Sequence, residues 1–189
     1  MPGWPTLVEQ IKLADATPVI VHTHAEDGFT VRAEPILAAI TPRTRGIIIN
    51  SPGNPTGALI SEQDMAAIAD EAAKRGIWVL LDLCYDKLIY DATPHNLPRV
   101  LFERLRDHTV LCGSASKAYA MTGWRCGWAV GPAALVGAWP AHPAASPRRR
   151  ARPATRRWAA RWPVGRGAPG TSPSSGSTSN AGRNRASRS

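Results

Sequence analysis

The sequence is short of cysteine, of long apolar runs and, over its last quarter, of acidic residues, and each shortage removes a class of protein. Three cysteines in 189 residues, Cys84, Cys112 and Cys126, are odd in number and show no CxxC or CxxH spacing. Neither a disulfide framework nor a zinc site is indicated, and a reducing cytosol fits best. Nowhere do about 18 apolar residues run together, the length a membrane-spanning helix needs. The opening MPGWPTLVEQ has no basic n-region and no apolar h-region, so the sequence points to neither secretion nor membrane spanning.

The shortage of acid is local. The formal charge of +9 is strongly basic when taken whole and would suggest nucleic acid or an anionic surface. Residues 1–137, however, hold all 14 acidic residues and 12 basic ones, whereas residues 138–189 hold 11 arginines, no lysine and no acid. The body is nearly neutral and the basic excess belongs to the tail. That tail also lacks Leu, Ile, Met, Phe, Tyr and Cys and cannot build a core. It reads as a low-complexity, disordered segment, and its mixture of Arg, Ala, Pro, Gly and Trp is what a GC-rich frame translated out of register would yield. Two domains of text are therefore expected: an informative body over 1–137 and a basic tail over 138–189.

Within the body, apolar spacing predicts helices over Thr6–Ala14, Ala33–Ile40 and Leu97–Arg106. Ser61, followed by Glu62 and Asp64, reads as a capping-box-like start for a helix with Met65, Ile68, Ala69 and Ala72 on one side and Gly76 as its stop. Short β-branched or apolar runs predict strands at Val19–Val21, Gly46–Asn50, Ile77–Leu81, Val110–Cys112 and Gly127–Val130. The run Gly46–Asn50 reads as a strand buried on both faces. Alternation of β and α with short connections argues for an α/β domain with a mostly parallel sheet.

Four short motifs follow predicted strands, where α/β sheets place their ligands: Asn54-Pro55-Thr56-Gly57, Asp82-Leu83-Cys84-Tyr85, Ser114-Ala115-Ser116-Lys117 and Gly123-Trp124-Arg125. Each alone has an ordinary reading as a turn, a strand-end residue, a solvated lysine or a salt-bridge arginine. Together, NPTG, DxxY, SxSK and GWR in this order resemble the large domain of the class I and II aminotransferases, pyridoxal-phosphate enzymes of fold type I, nearest to the aspartate type. The resemblance runs from Pro2 to about Gly137.

By resemblance, Lys117 is the lysine that joins the cofactor aldehyde and later moves the substrate proton, in a setting of burial and nearby cations that loosens its own proton. Asp82 is implied to pair with the pyridine nitrogen. Asn54 and Tyr85 are implied to hold the ring hydroxyl oxygen, and Ser114 and Arg125 the phosphate. Gly53, Gly57 and Gly113 are expected where the backbone turns sharply or approaches the ring. The implied reaction moves an amino group between an amino acid and a 2-oxo acid, in a cytoplasmic enzyme that is a homodimer when intact. The upstream phosphate loop, the stacking aromatic residue and the small domain of the family are not found in the text, and Leu83 stands where the family usually has Glu. The expectation is thus a partial large domain, a truncated copy that is poorly soluble or inactive on its own.

Lyase chemistry on the same cofactor, or a non-catalytic fragment whose basic tail binds nucleic acid, are the rival readings. The tail reading ranks low, because no folded module or interleaved aromatic residue accompanies the arginines. His22 and His24 alternate but lack a third metal ligand. His95 and His108 have no partner motif, Cys84 reads as packing rather than a nucleophile, and Trp124 and Trp128 are expected at the sheet edge.

Overall fold

The computed structural model describes residues 2–90 and 96–138. The expected tail lies outside them, apart from the backbone of residue 138.

Helix α1 (Pro5–Leu13) starts with a proline in its first turn, where the missing N–H is no loss. Helix α2 (Ala33–Ala38) leads to strand β1 (Gly46–Asn50), helix α3 (Glu62–Arg75) to β2 (Trp78–Asp82), and α4 (Leu97–Leu105) to β3 (Thr109–Ser114). A single turn of helix, α5 (Ala115–Ala118), precedes β4 (Gly127–Val130) and α6 (Ala133–Ala138).

The start of α3 is built as its sequence implies, with one addition. The Ser61 hydroxyl accepts from Asp64 N at 2.9 Å and donates to the Asp64 carboxylate at 2.6 Å. The other Asp64 oxygen takes the Ala33 N–H at 2.8 Å, so the same residue ties α3 to the first turn of α2. Gly76 ends the helix at φ +63°, in the left-handed region that glycine enters without a Cβ clash.

The sheet runs in the order β1-β2-β3-β4, with β1, β2 and β3 parallel and β4 antiparallel to β3. Val79 and Leu81 alternate inward along β2, where they meet Met65, Ile68, Ala69 and Ala72 of α3 and Leu97, Leu101 and Leu105 of α4 in one buried cluster. The apolar stripe read from α3 is thus the stripe that is buried. At its rim Arg104 of α4 reaches both Asp70 oxygens, at 2.9 and 3.0 Å.

Two expectations are corrected. Val19–Val21 forms no strand, and Val19 is 71% exposed: β-branched residues favour a strand only where a neighbouring strand supplies hydrogen bonds and packing. Strand β1 is not buried on both faces, since only Ile49 is fully buried and Gly46 is exposed. It lies at one end of the strand order among the described residues, a position that a β-branched run does not reveal.

Candidate active site

Parallel register sets the geometry. Asn50 lies opposite Asp82, and Asp82 opposite Cys112, so the segments leaving β1, β2 and β3 emerge together along one edge of the sheet, where ligands of α/β folds bind. After β1 the chain turns through two cis peptides, Ser51–Pro52 and Asn54–Pro55, and through Gly57 at φ +72°. Gly57 N donates to Gly53 O at 2.7 Å, so the expected sharp turn at Gly57 is present. The turn delivers Asn54 to the segment after β2, and Asn54 Nδ2 donates to Tyr85 Oη at 3.2 Å.

Asp82 ends β2. Its half-buried carboxylate accepts the Cys84 N–H at 2.9 Å and forms no ion pair among the described residues. Burial pushes this carboxyl above its ordinary value, opposed by the Cys84 bond. Burial and the Asp82 charge also push up the Cys84 thiol, while the Lys117 ammonium pulls it down; Lys117 lies in α5, directly after the carboxyl end of β3, which runs parallel to β2. Burial foremost, with Asp82 and Cys84 adding to it, pushes Cys112 up to about 12. Neither thiol has the lowered pKa of a nucleophile.

At the end of β3, Ser114 Oγ accepts from Ser116 N at 3.0 Å, capping α5, and donates to Cys126 O at 3.3 Å. That second bond holds the Arg125–Cys126 segment beside Ser114. Arg125 adopts φ +51°, a conformation few non-glycine residues take without local constraint, and its guanidinium donates to Thr122 O at 3.1 Å.

Two site expectations are corrected. Lys117 is exposed rather than buried, because α5 has only four residues and Ser116 alone among them is buried. Trp124 is 70% exposed and does not pack the sheet edge. Gly113 faces Trp128, its register partner on β4, where a Cβ would overlap the indole.

An open cleft of about 420 Å³ lies between the 52–59 loop and the segment after Tyr85, with Asn54, Pro55, Tyr85, Leu88 and Tyr90 in its walls. Asn54 and Tyr85 thus face the cleft, whereas Asp82, Lys117, Ser114 and Arg125 are not among its lining residues. Asn50 belongs to none of the four motifs, yet its Oδ1 accepts Asn54 N at 2.8 Å; its sequence signal is an Asn four residues before a turn asparagine, since Asx side chains capture nearby backbone amides. His108 rests against Trp78 with ring centroids 5.0 Å apart, and His95 lies outside the described residues.

Fold and site together define an α/β domain whose polar side chains converge outside the carboxyl ends of a largely parallel sheet. The chain belongs to the class I and II aminotransferases, whose family model matches residues 1–154. It is 40% identical over 136 residues to an aspartate aminotransferase of Rhizobium meliloti, covering 71% of this chain and 33% of that protein. An aspartate/prephenate aminotransferase of Cereibacter sphaeroides matches at 40% identity over 71% of this chain and 34% of its own length. Among solved structures, the aspartate aminotransferase from Thermus thermophilus with maleate superposes with a TM-score of 0.66 at 36% identity, over 72% of this chain and 35% of that one. The aromatic aminotransferase from Pyrococcus horikoshii OT3 gives a TM-score of 0.67 at 33% identity. The chain spans about a third of the length of these relatives.

Proposed function

We propose that residues 1–137 supply the cofactor-binding part of a pyridoxal-phosphate-dependent aminotransferase acting in the cytoplasm on an amino acid and a 2-oxo acid, with a second copy of the chain as partner. The observation that carries this reading is that the Asn54–Tyr85 pair, the half-buried carboxylate of Asp82, which forms no ion pair among the described residues, and Lys117 all follow the carboxyl ends of parallel strands β1, β2 and β3. These residues fit the cofactor. A half-buried carboxylate without a cation gains by meeting a protonated ring nitrogen, and the Asn54 amide and Tyr85 phenol offer donors to a ring oxygen.

When bound, pyridoxal phosphate supplies an electron sink for the carbanion formed at the substrate Cα. Asp82 keeps the ring nitrogen protonated. Asn54 and Tyr85 orient the ring and favour the anionic form of its oxygen. Ser114 and Arg125 hold the phosphate, where a planar guanidinium can bind two oxygens at once. Lys117 serves as the nucleophile toward the cofactor and then as the base that carries the proton.

The test is chemical mapping of the full chain. After incubation with pyridoxal phosphate and reduction with borohydride, the label is expected on Lys117 in preference to Lys12, Lys74 and Lys87, which are the remaining lysines. Equal labelling of all four lysines would reject the assignment.

A further inference from the structure

We infer that Asn50 is a positioning residue that clamps the two loops of the site, setting the Asn54–Tyr85 pair against Asp82. Its side chain uses both ends. Oδ1 accepts the Asn54 backbone N–H at 2.8 Å, and Nδ2 donates to the Asp82 carbonyl at 3.3 Å. Asn54 in turn donates to Tyr85 Oη, and Tyr85 follows Asp82 through a turn in which Cys84 N is held by the Asp82 carboxylate and Leu83 N by Cys112 O at 2.8 Å. The bonds close a circuit: Asn50 to Asn54, Asn54 to Tyr85, Tyr85 along the chain to Asp82, and Asp82 back to Asn50.

An amide serves both partners at this position. The Asn54 N–H takes an acceptor and the Asp82 carbonyl takes a second donor, and Asn carries both on a short, nearly rigid side chain. Asn50 pairs in register with Asp82, so the donor already faces its carbonyl, and Ser51 N joins it there at 3.2 Å. Asn50 touches no reacting atom. It acts on the residues that would, and its service to a cofactor rests on the function proposed above.

Two readouts separate the clamp from that function. In the cofactor-free full chain, exchange of the Asn54 amide with water is followed by NMR. Asn50→Ala removes the acceptor, and exchange is expected to rise on the order of fivefold, as for the loss of one neutral hydrogen bond. Asn50→Asp keeps an acceptor and is expected to hold the amide near its original rate while losing the bond to the Asp82 carbonyl. Unchanged exchange in Asn50→Ala overturns the clamp. Should that variant not fold, an Asn50→Asp chain with exchange as fast as that of the neighbouring unbonded loop amides overturns it as well.

With pyridoxal phosphate added, the visible band of the lysine-bound cofactor is titrated. Asn54 would donate to the ring oxygen of the bound cofactor and favour its anionic form, so loosening Asn54 is expected to move the midpoint to higher pH in Asn50→Ala. A parent chain that binds no pyridoxal phosphate defeats the proposed function and leaves the amide result to decide the clamp. A parent that binds, with an unmoved midpoint in the variant, defeats the link between clamp and cofactor.

Discussion

Substituting Gly113 by alanine should change the sign of its effect according to what stands across the strand. Gly113 on β3 pairs with Trp128 on antiparallel β4, and an added Cβ would overlap indole atoms Cε2 and Cζ2. Overpacking of this kind is worth about 1–3 kcal/mol of destabilisation. Trp128 is 41% exposed and can swing outward instead of compressing the core, which places the expected loss near the lower end. Against it stands the gain from stiffening the unfolded chain, since glycine inside a strand is about 0.5–1 kcal/mol worse than alanine. Gly113→Ala in the parent should therefore lose about 0–0.5 kcal/mol. In a Trp128→Ala background the obstacle is gone and the same change should gain about 0.5–1 kcal/mol. Urea unfolding of all four proteins, followed by far-ultraviolet circular dichroism, gives the coupling directly. Equal effects of Gly113→Ala in the two backgrounds would refute the reasoning.

Asp82→Asn should stabilise the cofactor-free chain at neutral pH. Burial raises this carboxyl in the folded state, so the folded protein binds the proton more tightly than the unfolded chain, and stability contributed by Asp82 is present at low pH and lost as pH rises through the raised value. The advantage of the Asn variant in urea midpoints should be present at pH 7 and shrink toward pH 4; the opposite slope would contradict the assignment. Thiol labelling at pH 8 should reach exposed Cys126 first and Cys112 last, because a thiol pushed up to about 12 is thiolate in only about one molecule in 10,000. Faster labelling of Cys112 than of Cys126 in the folded chain would count against it. Leu101→Ala, at a fully buried position between α3, α4 and the sheet, should lose about 2–5 kcal/mol. Arg104→Ala, which removes an exposed pair with Asp70, should lose under about 1 kcal/mol, and both are read from urea unfolding.

What the sequence discloses and what it hides divide along the range of the interactions involved. The start, face and stop of α3 were legible because Ser61, the spacing of Met65, Ile68, Ala69 and Ala72, and Gly76 all act within one helix. Val19–Val21 misled because a strand is made by its neighbour, and β1 misled because its place in the strand order is a property of the whole sheet. The site shows the same division. NPTG, DxxY and SxSK could be placed at strand ends from local pattern, and the resemblance to a known family joined them. The exposure of Lys117, the demand that Trp128 makes on Gly113 and the two hydrogen bonds of the Asn50 side chain are visible only when separate segments stand side by side.

Asn50 carries this furthest. As the last residue of a β-branched run it reads as a turn-former, a role that aspartate, serine or glycine could fill equally well. Register alters that reading, because it puts the Asp82 carbonyl opposite and leaves a position that needs a donor on one side and an acceptor on the other. Aspartate would bring a second negative charge toward the half-buried Asp82 carboxylate and raise it further, serine has a single hydroxyl for two distant partners, and glycine has none. The choice of asparagine there is accounted for by its two partners and not by the turn that follows it.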